Sequence, residues 1–287
     1  MSGPTEARNP VGRTFLFVQT VRLHDAGCAA SSRLKPGALS NALLALLLLA
    51  PAPAQSPGMA EVPAGKFEMG RSHALPDDGL RWFPVLLRDD RPVRVIELDA
   101  FELDLHEVTN REYWAFVEDG GAEAPYYWPG GEPPAGKEEQ PVANVTWQEA
   151  NAYCAWRGKR LPTEAEWEKA CRGGRAKEKY PWGDDDCSKE RAHYDSVEGP
   201  TKVCSYEPNG FGLCDMAGNV WEWTADYYAR TYYEQAPVKN PKGPANGEYR
   251  VLRGGSWADE AKFLTCAHRS FARPIERSPN IGFRCAK

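Results

Sequence analysis

The sequence predicts an irregular α+β domain with few short helices and strands, linked by disulfides. Three observations predict it. Thr109, Thr146 and Thr163 each stand three residues ahead of a glutamate, the pattern of a capped helix start. Beyond Arg175 the chain is interrupted every few residues by Gly, Pro, Asn or Asp, which leaves room only for short strands. The chain also carries eight cysteines behind what reads as an export signal, so disulfides are expected.

Residues 1–58 read as an N-terminal extension and signal peptide rather than as fold. Arg33 and Lys35 precede the apolar run Ala42–Ala50, and Pro51-Ala52-Pro53-Ala54 supplies small residues for cleavage near Ala54. The run is too short to span a bilayer, so no membrane association is expected after cleavage. The residues ahead of the signal are read as the result of a start codon placed too far upstream. Export then leads to the periplasm or beyond the cell. The folded domain is expected over 59–287.

Composition narrows the partners. With 42% hydrophobic and 26% charged residues, the chain is neither disordered nor membrane-embedded. The net charge is -5 and no basic cluster is interleaved with aromatics, which excludes nucleic acid. Ten tryptophans, from Trp82 to Trp257, place the core in that interval.

Val62–Gly70 alternates and then turns, as a strand entering a loop would, and Ser72–Asp90 is polar and irregular. Val93, Val95 and Glu97-Leu98 restore a period of two that runs on to Phe101 and Leu103. Three helices follow. The first turns Tyr113, Phe116 and Val117 to one face and stops at Gly120-Gly121; the second carries Ala150, Tyr153 and Cys154 inward and stops at Gly158. The third groups Trp167, Ala170 and Cys171 before Gly173-Gly174, with Pro162 ahead of its cap. Candidate strands after these are Val220–Thr224, Tyr249–Arg253 and Gly282–Cys285.

Asp215, Glu222 and the backbone of Gly218–Val220 gather two carboxylates and several carbonyls on one tight turn, and hard oxygen donors of this kind suit calcium. The other reading of the same residues is a turn closed by Asx-type hydrogen bonds, with Glu222 paired to an arginine. Cys204 and Cys214 flank a Pro-Asn-Gly turn and can bond to each other, leaving Cys187 as the odd thiol; a Cys187–Cys204 bond is the alternative.

Five segments, in order, carry a resemblance: Val62-Pro63-Ala64-Gly65 through Met69-Gly70; Glu107-Val108-Thr109-Asn110; Gly158-Lys159-Arg160-Leu161-Pro162-Thr163-Glu164-Ala165-Glu166-Trp167; Gly212 through Trp223; and Arg250 through Trp257, closed by Ile281-Gly282-Phe283-Arg284. Together they resemble the formylglycine-generating enzyme (sulfatase-modifying factor) family across residues 60–287. The resemblance implies a C-type-lectin-like fold. It also implies calcium held by the Asp215 and Glu222 side chains and the Gly218 and Val220 carbonyls, and disulfides Cys154–Cys285 and Cys171–Cys266.

Members that oxidise a sulfatase cysteine to formylglycine carry a Cys-x4-Cys pair after Gly-Gly-Ser, whose thiolates hold Cu(I). Here Trp257 to Thr265 contains no cysteine, and Asp259 stands where the first ligand would be. A carboxylate does not replace a thiolate for Cu(I), so copper is not expected. Ser256 and Trp221 still match pocket positions of the active members. The family's three-histidine iron branch is not matched either, because His73, His106, His193 and His268 are widely spaced. Asp184-Asp185-Asp186 reads as a solvated loop, and adjacent Asp259 and Glu260 are poorly placed to act as an acid–base pair on one substrate.

These readings lead to an exported, non-oxidising, calcium-stabilised module whose cleft takes a peptide, a glycan or a protein. The alternative is an oxidoreductase of the same family that converts a substrate cysteine to formylglycine with a divergent site.

Overall fold

The structure, a computed structural model, describes residues 56–74 and 89–287. The expected signal and Trp82 lie outside the described residues.

The run expected as one strand from Val62 forms two, β1 (Met59–Val62) and β2 (Gly65–Met69). Pro63 removes a backbone donor and Gly65 takes φ 135, so the chain leaves one sheet and enters another. The next alternating run likewise splits into β3 (Arg94–Leu98) and β4 (Phe101–Asp104). β1 pairs antiparallel with β4 and β2 with β3. The buried face of β3 is Ile96 and Leu98, whereas Val93 and Val95 are exposed. The alternation was legible, but both of its faces are apolar enough to be buried, and packing chose between them.

The three capped helices form as expected. In α1 (Asn110–Glu118), α2 (Trp147–Trp156) and α3 (Glu164–Cys171), each threonine accepts from the glutamate amide and each glutamate accepts from the cap amide. Each such cap contributes about 1 kcal/mol. β5 (Trp221–Tyr227), the short helix α4 (Tyr232–Gln235), β6 (Arg250–Arg253), β7 (Ser270–Ala272) and β8 (Ile281–Gly282) complete the chain. The last four strands make one sheet in the order β7-β6-β5-β8, in which only β5–β8 is parallel.

Disulfides join Cys154 of α2 to Cys285, Cys171 of α3 to Cys266, and Cys204 to Cys214. The first two close sequence separations of 131 and 95 residues and pin the C-terminal segment to the helices. Cys187 remains free and packs against a small cluster with Tyr180 and Ala192.

α3 departs most from its sequence reading. Trp167, Ala170 and Cys171 are buried, but so are Glu164, Glu168 and Lys169. Glu168 accepts from Arg172 at 2.7 Å, from the Gly70 amide at 2.7 Å and from Arg253. Glu164 takes a two-pronged pair from Arg269, at 2.6 and 3.0 Å. Gly70 permits this contact: its φ is 104, and a β-carbon there would lie 2.9 Å from the Asp90 carbonyl oxygen.

Candidate functional site

The pleat of β5 sends neighbouring side chains to opposite faces and so separates two sites. On one face, Trp221 donates its indole N–H to Asp259 Oδ2 at 2.8 Å. Ser256 donates its hydroxyl to the same oxygen, and Asn280 Nδ2 donates to Ser256 Oγ at 3.2 Å. Ser256 is fully buried, Asp259 half-buried, and the turn between them is closed by the Asp259 amide on the Ser256 carbonyl at 3.1 Å. His268 lies against the Trp221 ring at 5.8 Å. Burial, reinforced by the Arg253 charge, lowers the His268 pKa to about 3, so this imidazole is neutral at physiological pH.

The first cysteine after Ser256 is Cys266, and it is bonded to Cys171. What the cleft offers is therefore a carboxylate, a hydroxyl, an indole and an amide. These residues do not fit Cu(I), which selects soft thiolate ligands.

On the opposite face, Glu222 is fully buried and both its oxygens are engaged. Arg284 binds them at 2.8 Å each, and Trp167 Nε1 donates to Oε2 at 2.8 Å. The arginine pairing left open in the sequence reading is thus present. Asp215 Oδ2 accepts from the Cys204 amide at 2.6 Å. Gly218 can only be glycine: its φ is 86, and a β-carbon would meet the His193 carbonyl oxygen at 2.3 Å.

A third carboxylate belongs to this site. Glu107, from the segment ahead of α1, is 0% exposed; Asn219 Nδ2 donates to its Oε2 at 3.3 Å, and its Oε1 has no hydrogen-bond partner. Burial and then the nearby Asp215 charge hold the Glu107 pKa well above the usual range, and burial raises that of Asp215. Three acids around Arg284 leave an excess of negative charge in a buried place, a deficit that a cation or protons must meet. Among the described residues no three His, Cys, Asp or Glu side chains converge as a ready metal cluster, so a bound cation would also need carbonyl oxygens.

The hydrogen-bonded cluster at Asp259 and the turn at 215–222 thus belong to a disulfide-pinned, irregular α+β domain. Residues 47–287 match the model for the sulfatase-modifying factor enzyme 1-like domain. The chain is 34% identical over 299 residues to the formylglycine-generating enzyme of Streptomyces coelicolor, covering 82% of this chain and 92% of that one. This protein belongs to the formylglycine-generating enzyme (sulfatase-modifying factor) family. It is also 44% identical over 220 residues to serine/threonine-protein kinase pkn1 of Chlamydia pneumoniae, covering 70% of this chain but only 35% of that one. The chain therefore spans about a third of that relative's length. Among solved structures, PvdO from Pseudomonas aeruginosa superimposes with a TM-score of 0.66 at 28% identity, over 81% of this chain and 99% of that one.

Of the residues picked out in the sequence, Ser256, Trp221 and Asp259 are brought into one hydrogen-bonded cluster, and Asp215 and Glu222 flank Arg284. Glu260 does not join them; it is exposed and pairs with Lys262 at 3.0 Å. Sequence reasoning missed Asn280, His268 and Glu107. Glu107 lay within a matching segment, but nothing in its neighbours announced that it would be buried.

Proposed function

We propose that this protein is an exported, non-oxidising member of its family, whose cleft at Asp259 binds a peptide, glycan or protein ligand. The observation that carries the reading is the double hydrogen bond that Trp221 and Ser256 make to Asp259 Oδ2. It fixes a carboxylate that the family resemblance puts at the first copper-ligand position, and Oδ1 remains without a hydrogen-bond partner among the described residues. A fixed acceptor in a half-buried cleft suits a donor group, such as an amide, a hydroxyl or a basic side chain. Three disulfides are consistent with an oxidising compartment, and no described helix is long and apolar enough to cross a membrane.

The test is incubation of the copper-treated protein with a peptide containing Cys-x-Pro-x-Arg, followed by mass spectrometry. The peptide cysteine is expected to stay a thiol. Conversion to the aldehyde would refute the non-oxidising reading.

The same reading includes calcium at the turn, with Asp215, Glu222 and the Gly218 and Val220 carbonyls as the ligands. Its support is the excess of buried negative charge around Arg284. Asp215→Asn is expected to remove any rise in melting temperature produced by calcium chloride. The same rise in variant and parent would exclude Asp215 as a ligand.

A further inference from the structure

The three disulfides differ in their access to solvent. Cys154, Cys285, Cys171 and Cys266 are each 0% exposed. Cys204, by contrast, is exposed, and its partner Cys214 is nearly buried. We propose that the Cys204–Cys214 bond is a thiol-exchange site, and that opening it releases the Asp215 carboxylate.

The linkage between bond and carboxylate is short. The Cys204 amide donates to Asp215 Oδ2 at 2.6 Å, and Cys214 immediately precedes Asp215 in the chain. Both Cys204 and Asp215 have φ 54, in the left-handed region that a side chain adopts only under constraint. The loop between the cysteines has two halves. Asn209 ties the second half to the end of α3 through the carbonyls of Ala170 and Cys171, at 2.7 and 3.1 Å, and receives the amides of Phe211 and Leu213. Among the described residues the first half, Ser205–Pro208, has no comparable anchor: the Ser205 hydroxyl bonds back to the Lys202 carbonyl. Cutting the disulfide therefore frees the first half while the second stays docked.

The reaction needs only a dithiol. Its thiolate attacks the exposed Cys204 sulfur, the bond to Cys214 breaks, and Cys214 leaves as a thiolate that takes up a proton. The second thiol then resolves the mixed disulfide, so that Cys204 is released as a thiol and the reductant becomes its own disulfide. Two electrons pass from dithiol to cystine. With its amide partner no longer held, the Asp215 carboxylate loses the hydrogen bond that fixes Oδ2.

The test treats the intact folded protein with dilute dithiothreitol, without added calcium, then alkylates and maps the cysteines. Cys204 and Cys214 are expected to be labelled ~10-fold or more faster than the four buried cysteines, because exchange follows access to sulfur. Hydrogen exchange at the Cys204 amide should accelerate by a similar factor, ~10-fold, as its hydrogen bond to a buried carboxylate is lost. The double variant Cys204→Ser with Cys214→Ser should show the same loss of protection with no thiol at either position. Labelling of all six cysteines at one rate, or unchanged protection at residue 204 in the opened or doubly substituted protein, would overturn the proposal.

Discussion

Glu168 and Glu107 are equally buried, and the structure treats them in opposite ways. Around α3, Glu164, Glu168 and Asp89 meet Arg172, Arg253 and Arg269. Around the turn at 215–222, Glu107, Asp215 and Glu222 share one buried arginine, Arg284. Burial raises a carboxyl pKa in both places; at Glu168 the Arg172 and Arg253 charges outweigh it and the pKa is lowered, while at Glu107 the Asp215 charge adds to it. Burial alone therefore does not mark a functional group. What differs is the charge around the group, because arginines favour the ionised form of Glu168 while further acids favour the protonated form of Glu107.

The comparison is broken most directly by removing a cation from the balanced cluster. Arg253→Met removes one of the two buried arginines paired with Glu168 and should destabilise the fold by about 3–5 kcal/mol. Thermal unfolding checks this, and a loss under about 1 kcal/mol would show that the cluster rearranges easily.

The next effect is one of pH. Asp226, fully buried and bonded to the Glu164 amide at 2.8 Å, has its pKa raised to about 8 by burial and then by the Glu164 charge. The native state keeps this proton after the unfolded chain has lost it. The stabilisation is therefore complete below the ordinary value of 3.8 and is lost as pH rises towards about 8. Up to about 1.4 kcal/mol per pH unit is at stake in that window. Asp226→Asn should flatten the slope, as read from denaturant midpoints at pH 5 and pH 8; identical slopes would exclude Asp226 as the source.

At the unbalanced turn the sign reverses. Glu107→Gln should leave stability at neutral pH within about 1 kcal/mol of the parent or raise it, since a neutral side chain replaces one disfavoured as an anion. A loss as large as that expected for Arg253→Met would mean that Glu107 is needed ionised, and would strengthen the case for a bound cation. At the Asp259 cluster, Asp259→Ala leaves the Trp221 N–H and the buried Ser256 hydroxyl without their acceptor and should cost about 1–3 kcal/mol. A larger loss in chemical denaturation would mark it as a structural pin.

The parts of this fold that were legible in the sequence are local. The capping boxes of α1, α2 and α3 are complete within four residues, so neighbours along the chain specify them. The lack of a cysteine from Trp257 to Thr265 was equally plain, since the chemistry of a side chain does not depend on the fold. The face of β3 was not legible, because Val93 and Val95 are as apolar as Ile96 and Leu98. Nor were the buried acids of α3, which look like a solvent-facing stripe until Arg253 and Arg269 arrive from far along the chain.

The sequence by itself determined the helix starts, the family, and the kind of atoms the cleft can present. Only the tertiary structure decided which acids are neutralised, that Glu222 is paired with Arg284, and that Glu107 shares that arginine with two other acids. The physical reason is range: caps and side-chain chemistry act within a turn, whereas charge compensation depends on residues more than a hundred positions apart, as with Glu164 and Arg269, separated by 105.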